Sequence, residues 1–219
     1  MDARHVTTRG KRERPRNRQG EGGRLRAELM AAASRLLAQG VDPEAMSLRA
    51  VAREAGVAAP SVYLQFDSKE DLLRAVITAN FAMLQNAIEA AVAMAEDPAS
   101  RLFAGCLAYC QFAIDQPGAY RVIFETRLPV WGDRAVEDQP GMSAFQLLVD
   151  AVAGCIDAGL ANPGDPFQIA TDIWVALHGM VSLRQRLPGF PWPPIERQLT
   201  SVLRALTGVD PTDTGSTAQ

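Results

Sequence analysis

The segment SLRAVAREAGVAAPSVYLQFDSK, from Ser47 to Lys69, reads as a short helix, a tight corner, a second short helix and the capped start of a third. Leu48, Val51, Ala52 and Ala55 recur at helical spacing. Gly56 follows at once, where a helix C-terminus favours a residue that tolerates the left-handed conformation. Val57 can plug the corner from inside. Pro60 falls in the first turn of the next helix, where its missing N–H costs little. Two helices of about two turns joined this way have the geometry of a helix-turn-helix. The second of them can offer small and polar side chains to a DNA major groove.

Upstream, Arg24 to Gln39 predicts a helix with Leu25, Leu29, Ala32, Ala33, Leu36 and Leu37 on one face, ended by Gly40. This helix is expected to brace the two shorter ones. Ser47 is the natural N-cap of the first short helix, and Ser68 caps a long helix from Lys69 to about Met94. The first turns of that long helix are expected to close a head at 24–78, and its remainder to enter a body at 79–208. Residues 1–23 are rich in arginine and poor in apolar side chains, so they are expected to be a disordered basic arm that lies along phosphates or enters a minor groove. Residues 209–219 are expected to be a disordered tail.

The net charge of −3 conceals an uneven distribution. Residues 1–78 hold 14 Lys+Arg and 10 Asp+Glu, whereas the remainder holds 8 and 15. A basic front and an acidic rear suit a head that binds a polyanion and a body that does not. No stretch of about 18 uninterrupted apolar residues occurs, so no membrane span is predicted. The apolar segment Leu25–Leu37 is broken by Arg26, Glu28 and Arg35, which argues against a signal peptide. Three cysteines without a framework spacing fit a reducing, cytoplasmic setting.

Beyond Met94 the punctuation is helical throughout. Asp97-Pro98 opens a helix to about Asp115, and 119–127 forms a short one after Gln116-Pro117-Gly118. Residues 128–141 are expected to be a loop. Helices follow at 142–158, 167–187 and 195–206, with the proline-rich 188–194 as a stiff connector. The fold class is therefore all-α, with no defensible strand.

With these pieces placed, the chain resembles the TetR/AcrR family of one-component transcriptional repressors. The resemblance is carried by Ser47-Leu48, Val51-Ala52, Ala55-Gly56-Val57, Ser61-Val62-Tyr63, Phe66, Lys69 and Leu72-Leu73. The second half resembles the family's Trp-His-Gly (WHG) type of C-terminal domain, here Trp174 and His178-Gly179, preceded by Gln116-Pro117-Gly118-Ala119-Tyr120-Arg121. It implies a three-helix DNA-binding head on a larger helical-bundle domain for effector binding and dimerisation.

The resemblance implies DNA contacts through Ser47, Arg49, Ala59, Pro60, Ser61, Tyr63, Gln65 and Lys69. Arg49 suits the O6/N7 edge of guanine. Ala59, Pro60 and Ser61 match the exposed face of the recognition helix, and only Ser61 among them has a hydrogen-bonding side chain. Tyr63 and Lys69 match phosphate-contacting positions. Gln65 stands where the family often has histidine, and its amide can still donate to a phosphate. The resemblance also implies a small-molecule cavity in the body. Its expected walls include Phe81, Phe103, Leu107, Tyr109 and Tyr120, with Phe124, Phe145, Trp174 and His178. Such a lining suits a hydrophobic or amphipathic effector.

Other chemistry is thin. Cys106 and Cys110 lack a nearby histidine and make an incomplete zinc set, so they and Cys155 read as core fillers. His178 reads as a packing residue, with a pocket hydrogen bond as the alternative. No catalytic set, metal cluster or phosphate loop is recognisable, and no cofactor or enzyme activity is expected. Ala151, Ala153, Gly154 and Ala158 on helix 142–158, with Ala170, Ala176, Gly179 and Ser182 on helix 167–187, allow close packing between two copies. A homodimer through these helices would form a four-helix bundle and set two heads about one DNA turn apart, over a pseudo-palindromic operator. The expected function is a ligand-responsive homodimeric DNA-binding regulator, a repressor released by its effector. The alternative is a helical carrier or enzyme that uses the body's cavity.

Overall fold

A computed structural model of the chain describes residues 21–125 and 139–210. Residues 1–20 of the expected arm at 1–23, most of the expected loop at 128–141 and residues 211–219 of the expected tail at 209–219 lie outside the described residues. Of the remainder, 21–23 open a helix and Val209 is buried in the body core. Among those described, nine helices and no strand occur: α1 Glu21–Ala38, α2 Leu48–Glu54, α3 Ala59–Tyr63, α4 Lys69–Ala93, α5 Pro98–Asp115, α6 Pro117–Phe124, α7 Met142–Asp157, α8 Pro166–Arg186 and α9 Ile195–Thr207. Helix α6 begins at Pro117, two residues before the expected start, because proline without its N–H is tolerated in a first turn.

Helix ends follow the local chemistry. Ser47 Oγ accepts from the Ala50 N–H at 3.2 Å and Ser68 Oγ from Asp71 N–H at 3.0 Å, each cap contributing about 1 kcal/mol. Asp97 accepts from both the backbone and the hydroxyl of Ser100, at 3.0 and 2.6 Å, and these bonds hold its carboxyl below the usual range. Gly56 turns the α2–α3 corner at φ +68°, and Val57 N–H returns to the Ala52 carbonyl at 2.9 Å.

Two apolar clusters organise the packing. The head cluster joins Leu29, Ala33 and Leu37 of α1 to Val51 of α2, Val62 of α3 and Leu72 and Val76 of α4. The body cluster takes in Leu84 and Ile88 of α4, Cys106 and Cys110 of α5, Ile173 and Leu177 of α8 and Leu199 and Leu203 of α9. Helix α4 serves both. It is long and apolar enough by length and composition to cross a membrane, but here it buries Leu72, Leu73, Val76 and Ile77 in the head and Leu84 and Ile88 in the body.

A second link was not anticipated. Val122 of α6 is wholly buried in the head cluster, although its neighbours Tyr120 and Ile123 belong to the body cluster. Gly118 permits the approach, since a Cβ there would stand 3.0 Å from Cβ of Ala38. Arg121 Nη1 donates to the Ala38 carbonyl at 2.7 Å. Head and body are thus joined by α4 covalently and by α6 through packing.

Candidate DNA interface and ligand cavity

On the head, α2 and α3 present one outer surface. Arg49 is exposed on α2, and Pro60 and Tyr63 are exposed on α3. Ser61 and Gln65 are half-buried. Ala59 is likewise half-buried, with part of its surface against the head core. Leu64 stands beside Tyr63 at 80% exposure and had been overlooked, because a leucine in a helical pattern reads as core. The Ser47 hydroxyl is used as a cap. Lys69 Nζ donates to the Glu44 carbonyl at 3.1 Å and lies 3.9 Å from the Glu44 carboxylate, contacts weak enough at a surface to yield to a phosphate.

The short α3 is held from behind by α1. Arg26 Nη1 donates to the Gln65 carbonyl at 2.6 Å, and its guanidinium lies 4.2 Å from the centre of the Phe66 ring. Arg35 of α1 pairs with Glu54 of α2 at 2.8 Å. These contacts fix the recognition helix without using its outward side chains.

The body encloses a cavity of about 600 Å³ between α4, α5, α6, α7 and α8. Phe81, Tyr109, Phe124, Phe145 and Trp174, five of the expected wall residues, line it. Phe103 and Leu107 do not: they pack against the body core away from the cavity, because the face of α5 that lines it carries Leu102, Cys106 and Tyr109. Tyr120 and His178 stand behind the wall. Sequence reading missed the aliphatic side of the cavity, formed by residues such as Ile88, Val92, Leu102 and Leu148.

A neutral hydrogen-bond chain backs the aromatic end. The Tyr109 and Tyr120 hydroxyls are 3.1 Å apart, and the Tyr120 hydroxyl is 2.6 Å from His178 Nδ1. His178 is therefore more than a packing residue. Burial lowers its pKa, partly opposed by the Glu125 carboxylate, and burial pushes both tyrosines up. Burial likewise raises the thiols, Cys110 to about 12 and Cys155 to about 11, which leaves them protonated and inert at neutral pH. Among the described residues no group of three His, Cys, Asp or Glu side chains could hold a metal ion.

On the outer side of the body, a Cβ at Gly154 of α7 or Gly179 of α8 would meet nothing within 4 Å, and Val175 and Leu183 are exposed. Two residues expected on that outer surface face inward instead: Ala151 lines the cavity and Ala170 is wholly buried.

Fold and surfaces together define a helix-turn-helix protein with a cavity-bearing helical body. Residues 29–76 match the family described as bacterial regulatory proteins, tetR family, and residues 102–207 match the tetracyclin repressor-like C-terminal domain, a span that includes Trp174 and His178-Gly179. The chain belongs to the tetR family.

It is 31% identical over 143 residues to an uncharacterized HTH-type transcriptional regulator of Mycobacterium tuberculosis; the match covers 64% of this chain and 61% of that protein. A protein of unknown function from Rhodococcus sp. RHA1 has the same architecture at TM-score 0.70 and 28% identity, covering 83% of this chain and 93% of that one. The transcriptional regulator FadR from Bacillus subtilis, in complex with stearoyl-CoA, shares the fold at TM-score 0.66 and 17% identity, covering 82% and 96%.

Proposed function

We propose that the protein is a homodimeric DNA-binding transcriptional regulator whose operator affinity falls when a lipophilic small molecule fills the body cavity. The observation that carries this reading is the double membership of α6. Val122 is buried in the head, while Ile123 and Phe124 wall the cavity. A ligand that moves the cavity wall cannot leave the head undisturbed, because packed interiors shift as units.

Arg49, Ser61, Tyr63, Gln65 and Lys69 supply the DNA contacts, with Pro60 and Leu64 as apolar contacts. Phosphate contacts set affinity, and Arg49 contributes most to base discrimination. Dimerisation uses the outer faces of α7 and α8, where Gly154, Gly179 and Val175 allow close approach. Repression is the default mode, since head spacing is set from the body, and strong release needs about 5 kcal/mol of differential ligand binding. We read the cavity as a binding site and not as a catalytic one. The titratable groups at or beside it are tyrosines and the Cys106 thiol shifted upward by burial and a histidine shifted downward, all held neutral.

The test is a gel shift against the DNA upstream of the protein's own coding region at low salt, with and without a lipophilic compound. Retarded DNA that is released by the compound supports the proposal. Absence of any DNA binding at low salt rejects it.

A further inference from the structure

Resting on the reading of the cavity as the effector site, we propose that the effector is an uncharged molecule with one long apolar tail and a single neutral hydrogen-bonding group, bound with that group at Tyr109 and the tail directed away from the head.

The cavity has two unlike ends. Along α4 it runs from Ile77 to Val92, a span of about 22 Å at 1.5 Å per residue. The end near the head is aromatic and holds polar atoms: Phe124 lies 6.0 Å from Phe81, 6.1 Å from Tyr109 and 6.3 Å from Trp174, ring centre to ring centre. The Tyr109 hydroxyl is the polar group there that is tied into the chain through Tyr120 to His178. The distant end is hydrocarbon, with Ile88, Val92, Leu102, Leu148 and Ala151 around Gly105. A Cβ at Gly105 would meet Val92 Cγ2 at 3.3 Å, which places Gly105 at that end.

None of the described lining residues carries a charge. A carboxylate or ammonium drawn inside would lose its hydration without a partner ion among the described lining residues, a heavy cost. The aromatic rings meet largely edge-to-face, an arrangement that can also receive a cation, so the ammonium probe is a necessary arm of the test. Phe145, for example, stands edge-to-face to Phe167 at 5.4 Å and to Trp174 at 5.8 Å. A neutral polar group fits better. If His178 Nδ1 carries no proton, Tyr120 donates to it and Tyr109 donates to Tyr120. The Tyr109 oxygen, which also hydrogen-bonds Trp174 and lies 3.4 Å from His178 Nδ1, keeps a second lone pair that accepts from a ligand hydroxyl. The other tautomer reverses the chain, and Tyr109 donates to a ligand carbonyl. An alcohol, ketone or ester is served either way.

The experiment titrates the full chain with 1-dodecanol, dodecanoate and dodecyltrimethylammonium, each below its aggregation threshold, and follows Trp fluorescence and calorimetric heat at pH 8. The expected result is binding of the alcohol at least about tenfold tighter than either ion. Tyr109→Phe should weaken 1-dodecanol by about threefold to tenfold while both ions stay weak and the fold is retained; unchanged alcohol binding would remove Tyr109 as the polar anchor. Ala151→Leu should weaken 1-dodecanol more than 1-octanol, because it shortens the tail end. Equal or tighter binding of either ion, or no binding of the alcohol, overturns the proposal. The regulatory reading is judged separately: alcohol binding that leaves DNA affinity unchanged rejects regulation and keeps the ligand class.

Discussion

Arg121 Nη1 donates a 2.7 Å hydrogen bond to the carbonyl of Ala38, so the first turns of α6 are latched to the last residue of α1. The bond is exposed and its guanidinium also lies 3.6 Å from Glu125. Arg121→Ala should therefore cost only about 0.5–1.5 kcal/mol of stability. Its larger effect should fall on coupling: the ratio of operator affinities with and without 1-dodecanol should move toward unity, as read by fluorescence anisotropy.

Gly118→Val addresses the same joint by volume. A branched side chain at a site where even a Cβ would lie 3.0 Å from Ala38 must push α1 and α6 apart. Overpacking of this kind typically costs about 1–3 kcal/mol. A urea midpoint indistinguishable from the wild type would show that the helices separate freely and that the joint is loose.

The burial of His178 gives a signed pH dependence. Burial depresses the His178 pKa from its ordinary 6.5, so below that value the unfolded chain binds more protons than the native one. Stability should be full above pH 6.5 and fall as pH drops through the interval down to the depressed value. Asp97, also depressed, acts in a separate window below its ordinary 3.8. His178→Asn should flatten the upper part of the acid limb in thermal melts between pH 7 and 5, leaving the lower part intact.

The DNA contacts proposed for Arg49 and expected of the basic arm can be told apart by experiment. Arg49→Ala should cost about 1–3 kcal/mol and relax preference at one base pair. Removing residues 1–20 should instead weaken all sequences alike and reduce the slope of affinity against salt. Binding measured on operator variants at two or more salt concentrations separates these outcomes.

Much of the architecture was legible because its signals are local. Ser47, Gly56, Ser68 and Asp97-Pro98 mark helix ends through hydrogen bonds that span only a few residues. The aromatic wall of the cavity was legible in part, from Phe81, Tyr109, Phe124, Phe145 and Trp174. Phe103 and Leu107 were misplaced because apolar residues around a helix cannot be sorted into cavity and core without the neighbouring helices. Ala151 and Ala170 were misassigned to an outer surface for the same reason. The α6 joint was hidden further, since Val122 meets α1 across a long sequence separation and no periodicity in eight residues encodes which core it enters.

The central claim is that occupancy of the cavity sets the affinity of the head for DNA. The most direct measurement is anisotropy of a labelled upstream DNA fragment at fixed protein concentration and rising 1-dodecanol, with ligand binding followed in the same samples by Trp fluorescence. The account predicts that DNA is released over the concentration range in which the cavity fills, and that Arg121→Ala blunts release without blunting filling. Full occupancy with DNA affinity unchanged would contradict it.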